Sequence, residues 1–480
     1  MSYTPDVADP CNQATSLWLA NGLPQEMLSH LKLGDCPDTA VNSSFKVGSA
    51  AQTSIGLSGL AAAYIHFLRT GNMQDVSVDA RHAVLDISSQ AWYTIDDQKP
   101  TRSWSDLEGI YRTKDNSFVL LKTYFPHHAE GILNILQSVQ VALLQWTAKD
   151  FEDEAEKQNM CVSAYSIPKQ AALRGTPPIQ LIKIGDAPKR EIKVSPPFPL
   201  DGIRVLDLSR VLAGPVCGRT LAAYGADVLL VTSPKLPDLP YLYADTSRGK
   251  RTTQLDLTEP THHDRLKELV KDADVFLQAY RPGGLRDKGF GPHELAKIRP
   301  GIVCANLTAY GWEGPWKNKR GFDSLVQTAT GFNWAEGEAF AEFNGQPVLD
   351  KPNPRPLPVQ VLDHVAGYFL AFGIQAAIAR TITEGSSWEV RVSLAAVAQW
   401  LRSLGQIPPK LAFGDGKPLP KQRIPQDPEV AALSVTLHEA TGDKRQVEGP
   451  LRTLTAIRHA AQLSVTPVKG RGSSNRLGSA

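Results

Sequence analysis

The sequence predicts an α/β protein: a Rossmann-like lobe built on a parallel sheet, joined by long interdomain crossings to a smaller α+β domain. Three observations point there. Short apolar strands alternate with helices between Pro199 and Tyr310. Pro-rich stretches interrupt the chain at 166–198, 351–358 and 406–427. The segment SIGLSGLAAAYIHFLRTGNMQDVSVDARHAVL (54–85) lies without gaps on YFLAFGIQAAIARTITEGSSWEVRVSLAAVAQ (368–399).

The elements of the lobe follow in order. IRVLDL reads as a buried strand, and PVCGRTLAAYG as a helix ended by Gly225. DVLLV and RTTQLDL are further strands, HHDRLKELVKDA is a charged amphipathic helix, and DVFLQAY and GIVCANLTAY complete the strand set. Apolar strands separated by helices of this length imply βαβ units around a parallel sheet. The stretch 166–198 reads as a linker, and KPNPRPLP (351–358) as an extended crossing into a long apolar helix. Gln406–Asp427 is loop-like, and LTAIRHAAQLSVTPVKG reads as a returning strand pair.

In the internal repeat, Gly59 falls on Gly373, Ala62 on Ala376, Gly71 on Gly385, Val76 on Val390 and Val78 on Val392. Both copies read as helix, glycine turn and alternating strand, a pattern that favours duplication. One difference is instructive: Asp363 has Ser49 as its counterpart. Asp363 heads an apolar helix, where a carboxylate is costly to desolvate and needs a partner or a task. Its local sequence also fits a helix N-cap, a role that Ser fills about as well.

Bulk properties narrow the function classes. With 51 Lys and Arg against 49 Asp and Glu, the charge gives no pointer to nucleic acid or to an acidic membrane. The tail from Ser403 has eleven basic against six acidic residues, but they are scattered, as on a solvated surface. Five widely spread cysteines suggest reduced thiols, and no pair has metal-ligand spacing. The N-terminus lacks the basic and apolar regions of a secretory signal, and no apolar run reaches the roughly 20 residues of a membrane span. A cytoplasmic location is the expectation.

The run PLDGIRVLDLSRVLAGPVCGRTLAAYGADVLLV (199–231) resembles the opening of the family III CoA-transferases, relatives of α-methylacyl-CoA racemase. The resemblance continues through SRGKRTTQLDL, DVFLQAYRPGGLRDKGFG, GIVCANLTAYGWEGPW and RGFDSLVQTATG to LDHVAG and the helix and strand after it, ending at Leu401. It implies a CoA-binding lobe over 199–345 and, over 346–402, a crossing segment and the helix with the catalytic aspartate. Residues 403–480 return as a C-terminal segment. Residues 1–165 look like a degenerate copy of the family's smaller domain, in which YRTKDNSFVLLKTYFPHH matches a strand-turn-strand region.

By resemblance Asp363 is the catalytic nucleophile, and Arg210, Leu212 and Ala213 line the CoA pocket. Gly214-Pro215 opens a helix whose first N–H groups suit a phosphate. Arg248, Lys250 and Arg251 cluster before a strand as candidate phosphate donors. Tyr280 and Arg281 follow a strand end, where Tyr280 is placed to stack on adenine. Arg320 falls on a basic pocket position, and Lys288 flanks Asp287, which stands where many members have a phosphate-binding Arg. Thr232-Ser233-Pro234 and the lack of a recognisable glycine-rich closing loop are further departures.

The implied reaction moves CoA from an acyl-CoA to a carboxylic acid through an aspartyl intermediate, with CoA as substrate and no metal or redox cofactor. The implied assembly is a homodimer, with no nucleic acid or membrane partner. Two alternatives stay open. One is a CoA-binding pseudoenzyme or structural partner. The other is an acyl-CoA racemase, although Phe322 stands where the racemases carry a proton-transferring His.

Overall fold

The computed structural model describes residues 9–100, 105–136, 139–165, 176–191, 197–237, 239–347, 353–438 and 452–468. Its centre is a seven-stranded sheet. From one edge the order is Arg251–Gln254, Asp227–Thr232, Arg204–Leu208, Val275–Gln278, Val303–Thr308, Ser387–Ser393 and Gln180–Gly185. The first six pair in parallel, and Gln180–Gly185 runs antiparallel along Ser387–Ser393. Numbered along the chain, the parallel strands lie in the order 3-2-1-4-5-6, the doubly wound arrangement. The α/β expectation holds. The stretch expected to be a linker instead supplies an edge strand of this sheet.

Alternate residues of the central strands enter two cores, as a sheet covered on both faces requires. Val205, Leu277, Val303 and Ala305 share a core with the helices Ala213–Ala223 and Val361–Thr383. Leu206, Phe276 and Cys304 pack with Leu266, Val270 and Leu295 on the other side.

Helix Val361–Thr383 meets the length and hydropathy of a membrane span, yet that window is entirely buried inside the protein. Its long neighbour is helix Val47–Thr70. Trp18 stacks on Phe372 beside them at 5.9 Å, and the Gln375 amide donates to Ser58 O at 3.1 Å. Each helix ends at a glycine in the left-handed region, Gly71 and Gly385, which closes the last turn without Cβ strain.

The two repeat segments have matching structures. Helix starts at 47 and 361 are followed by strands Val76–Val78 and Ser387–Ser393. Asp79 and Ser393 then cap the next helix through their side chains. A Cβ on Gly59 would meet Val76 Cγ1 at 2.8 Å, and one on Gly373 would meet Val390 Cγ1 at 2.5 Å. In each copy the helix therefore presses a bare backbone against the same strand position. The sheet Leu31–Leu33, Val76–Val78, Ala461–Leu463 also repeats the parallel-then-antiparallel pairing seen at 303–308, 387–393 and 180–185.

The first 165 residues divide between two bodies. Residues from Ala14 to Ile87 join the core of the large lobe. Gly109–Arg112, Phe118–Leu121 and Val162–Ala164 form a small antiparallel sheet with its own core around Phe151. Near the C-terminus the two expected strands do form, but they do not pair with each other. Thr453–Ile457 joins Ser434–His438 and Thr94–Ile95, whereas Ala461–Leu463 joins Val76–Val78.

Candidate functional site

In a doubly wound sheet, ligands sit beyond the carboxyl ends of the strands where the winding reverses. Here that point lies between Arg204–Leu208 and Val275–Gln278. The loops leaving them carry Arg210, Leu212 and Ala213 on one side and Tyr280 and Arg281 on the other. All five line a cavity of about 430 Å³, together with Arg320 and Asp363. Val211, between the two loop contacts, has φ +70, a strained conformation for a β-branched residue. It turns the chain into helix Ala213–Ala223, whose open first turn faces the cavity.

The small body closes the other wall with Phe125, His127, His128 and Cys161. Arg320 Nη1 lies 3.3 Å from His128 Nε2. Among the described residues Arg320 Nε and His128 Nδ1 are buried without a hydrogen-bond partner, leaving polar groups for a ligand to satisfy. Burial and the neighbouring His127 and Arg320 pull His128 down to about 4, so its ring is neutral near pH 7. Burial and Arg281 also lower Arg320. Three guanidinium groups around one cavity suit a polyanion.

Asp363 is the third residue of helix Val361–Thr383, and its carboxyl does not cap that helix. Asp323 takes that role: its Oδ2 accepts the backbone N–H of Asp363 at 3.0 Å. The N-cap reading of Asp363 therefore fails, because the cap comes from another segment. Gly367, one turn on, lets the helix touch the start of helix Ala213–Ala223. A Cβ there would stand 2.6 Å from Ala213 O. This close approach holds the Asp363 carboxyl against the cavity.

Burial pushes Asp363 well above the usual carboxylate range, and the Asp323 charge raises it further. Burial also raises Asp323, to about 6, against the pull of the Asp363 and Leu362 N–H groups and Gln327. Asp323 holds donors that favour its charged form, so within the pair Asp363 keeps the proton longer. Asp363 also lines a second cavity, of about 310 Å³. Val211, Leu212 and Phe322 are shared by both cavities.

Four sequence-predicted residues lie elsewhere. Lys250 is fully buried, with Nζ 2.8 Å from Asp207 Oδ2 and 2.8 Å from Pro215 O, so its donors are spent on the scaffold. Arg251 is exposed and pairs with both oxygens of Asp227. Lys288 sits on an exposed turn outside both cavities. Arg248 bonds Asp245 and Ile457 O and borders a larger cavity of about 720 Å³. That cavity is larger than the two lined by Asp363. Its Arg219 is matched by Asp86 and Asp245, and it contains no part of Asp363 or its surroundings.

Sequence reasoning missed Asp323, His128 and Val211. Asp323 had a signal: a carboxylate opening an apolar helix in GFDSLVQTATG poses the same burial problem as Asp363. His128 and Val211 gain their places only from tertiary packing.

Fold and site thus define a doubly wound α/β protein with a cationic cavity closed by a buried carboxyl. Residues 200–419 match the sequence model of CoA-transferase family III. Among relatives, an "Acetyl-coenzyme A transferase" of Hypoxylon pulicicidum is 33% identical over 216 residues, 44% of this chain and 35% of that protein. A "Probable fatty acyl-CoA transferase" of Mycobacterium tuberculosis is 32% identical over 44% of this chain and 54% of its own length. A succinyl-CoA–D-citramalate CoA-transferase of Chloroflexus aurantiacus is 30% identical, over 42% and 50%. The chain thus spans about half or less of the length of these curated relatives. A solved Brucella suis protein of the CAIB/BAIF family is 26% identical, with a TM-score of 0.37 over 50% of this chain and 64% of that one.

Proposed function

We propose that this protein transfers CoA from an acyl-CoA to a carboxylic acid, with Asp363 as the nucleophile. One observation carries the reading: Asp363 lines both a cavity ringed by Arg210, Arg281 and Arg320 and a second, less cationic cavity. The nucleotide phosphates of CoA belong in the first and the acyl group in the second, with the thioester at the carboxyl between them.

Ionised Asp363 attacks the thioester carbonyl, forming a mixed anhydride and releasing CoA thiolate. The thiolate then attacks the aspartyl carbonyl, giving an aspartyl-CoA thioester and the free donor acid. The acceptor carboxylate takes the same two steps in reverse and leaves as a new acyl-CoA. Holding the carboxylate against a bound thioester supplies the effective molarity that a weak nucleophile needs. The elevated pKa makes the ionised carboxylate more basic, and N–H groups at the open turn of helix Ala213–Ala223 are placed to take developing oxyanion charge.

Racemase chemistry finds less support. Phe322 carries no proton, and His364 is buried against Gln90 Oε1 at 2.8 Å, with burial lowering its pKa to about 3. The resemblance further suggests a cytoplasmic homodimer, to be weighed by light scattering as twice 52.3 kDa. The deciding experiment is peptide mass spectrometry after incubation with acyl-CoA and hydroxylamine. Modification is expected at Asp363 and abolished in Asp363→Asn. Turnover by Asp363→Asn at the wild-type rate would refute the mechanism.

A further inference from the structure

We infer that the second cavity takes an uncharged acyl chain and discriminates against acyl groups with a second carboxylate. This rests on the CoA-transferase reading, because it assigns the acyl group to that cavity. Trp92, Tyr241, Leu242, Leu357 and Val359 give the cavity an apolar surface. Asp363 and Asp323 both line it. The distal carboxylate of a dicarboxylic acyl group would lie among these apolar side chains, which is costly without a dedicated partner.

Lys122 is the one cationic side chain lining this cavity among the described residues. It is already engaged. Its Nζ lies 2.5 Å from Glu108 Oε1 and 3.1 Å from Tyr124 Oη, and it packs over the Tyr124 ring at 4.8 Å. A substrate carboxylate would share this ammonium with Glu108, whose charge already compensates it. Neutral polar groups are better served. Gln360 Nε2 reaches Tyr124 Oη only at 3.5 Å, so this amide has donor capacity for a hydroxyl or carbonyl on the chain. Charge is thus divided across Asp363, with guanidinium groups on the nucleotide side and a matched ion pair on the acyl side.

Ser88, Gln90, Ala91, Trp92, Lys122 and Tyr124 lie outside residues 200–419, the segment that matches the family. Selectivity therefore depends on parts of the chain that the family likeness does not cover.

The test compares pentanoyl-CoA with glutaryl-CoA, equal in carbon chain and different in the terminal carboxylate. Wild-type kcat/KM is expected to favour pentanoyl-CoA by about tenfold or more, the factor that about 1.4 kcal/mol provides. Glu108→Gln, which releases Lys122 to receive an anion, should narrow that ratio. In parallel, calorimetry with the unreactive thioethers S-pentyl-CoA and S-(4-carboxybutyl)-CoA reads the same preference without chemistry. Equal or tighter binding of the carboxylated thioether overturns the inference. A clear preference for S-pentyl-CoA upholds it. If thioether selectivity holds while no acyl-CoA modifies Asp363, the transferase reading fails and the cavity assignment stands.

Discussion

Replacing Lys250 by Met separates two roles for this residue: a phosphate donor for CoA, as its sequence neighbourhood suggests, or a buried scaffold cation. Lys250 is 1% exposed and Asp207 is fully buried. Their 2.8 Å contact sits beneath Gly218, where a Cβ would lie 2.9 Å from Nζ. Lys250→Met nearly keeps the volume but leaves the Asp207 carboxylate with Ser209 as its remaining hydrogen-bonding neighbour in the described structure. Breaking a buried pair from one side costs about 3–5 kcal/mol. The neutral pair Lys250→Met with Asp207→Asn should recover at least about 1 kcal/mol of that loss, as expected for directly coupled groups. Guanidinium unfolding of the four proteins of the cycle measures this, and calorimetry at a temperature where all are folded measures CoA affinity. The expected result is a large stability change with affinity altered less than about threefold, about 0.65 kcal/mol. Unchanged stability with lost CoA binding would refute the scaffold role.

Two further outcomes concern the carboxyl pair. Because the folded pKa of Asp363 is raised, the native state binds more protons than the unfolded chain above the ordinary value of 3.8. Stability from this group therefore falls as pH rises through the folded pKa. Asp363→Asn should melt with the wild type below pH 4 and above it at pH 8, as scanning calorimetry would show; a difference independent of pH would contradict this. Asp323→Asn removes the like charge while keeping an acceptor for the Asp363 N–H. The acid limb of kcat/KM should move to lower pH, and an unmoved or raised limb would exclude Asp323 as a positioning residue.

The alternation of strands and helices was legible because a parallel sheet buried on both faces leaves nearly continuous apolar runs. Asp363 stood out because a carboxylate at the head of an apolar helix is energetically exceptional. Lys250 misled because RGKR reads locally as a basic turn. Its partner was visible only as Asp207, an acid inside the apolar run IRVLDL that needed a cation from elsewhere. Gln180–Gly185 was hidden among prolines, where an edge strand tolerates short length and half-exposed residues. The second cavity collects residues from 88–92, 122–124, 322–327 and 356–363. No local pattern marks residues that meet only through folding.

The pressing of helix Val47–Thr70 against helix Val361–Thr383 has a practical consequence for dissecting the protein. A fragment cut to residues 200–419 would carry Asp363 and the guanidinium groups, yet it would expose the apolar side of helix Val361–Thr383 to water. It would also lose the Asp86 oxygen that receives the Tyr368 hydroxyl at 2.9 Å. The segment that bears the family likeness is therefore not an autonomous unit: its solubility is encoded in the residues before it.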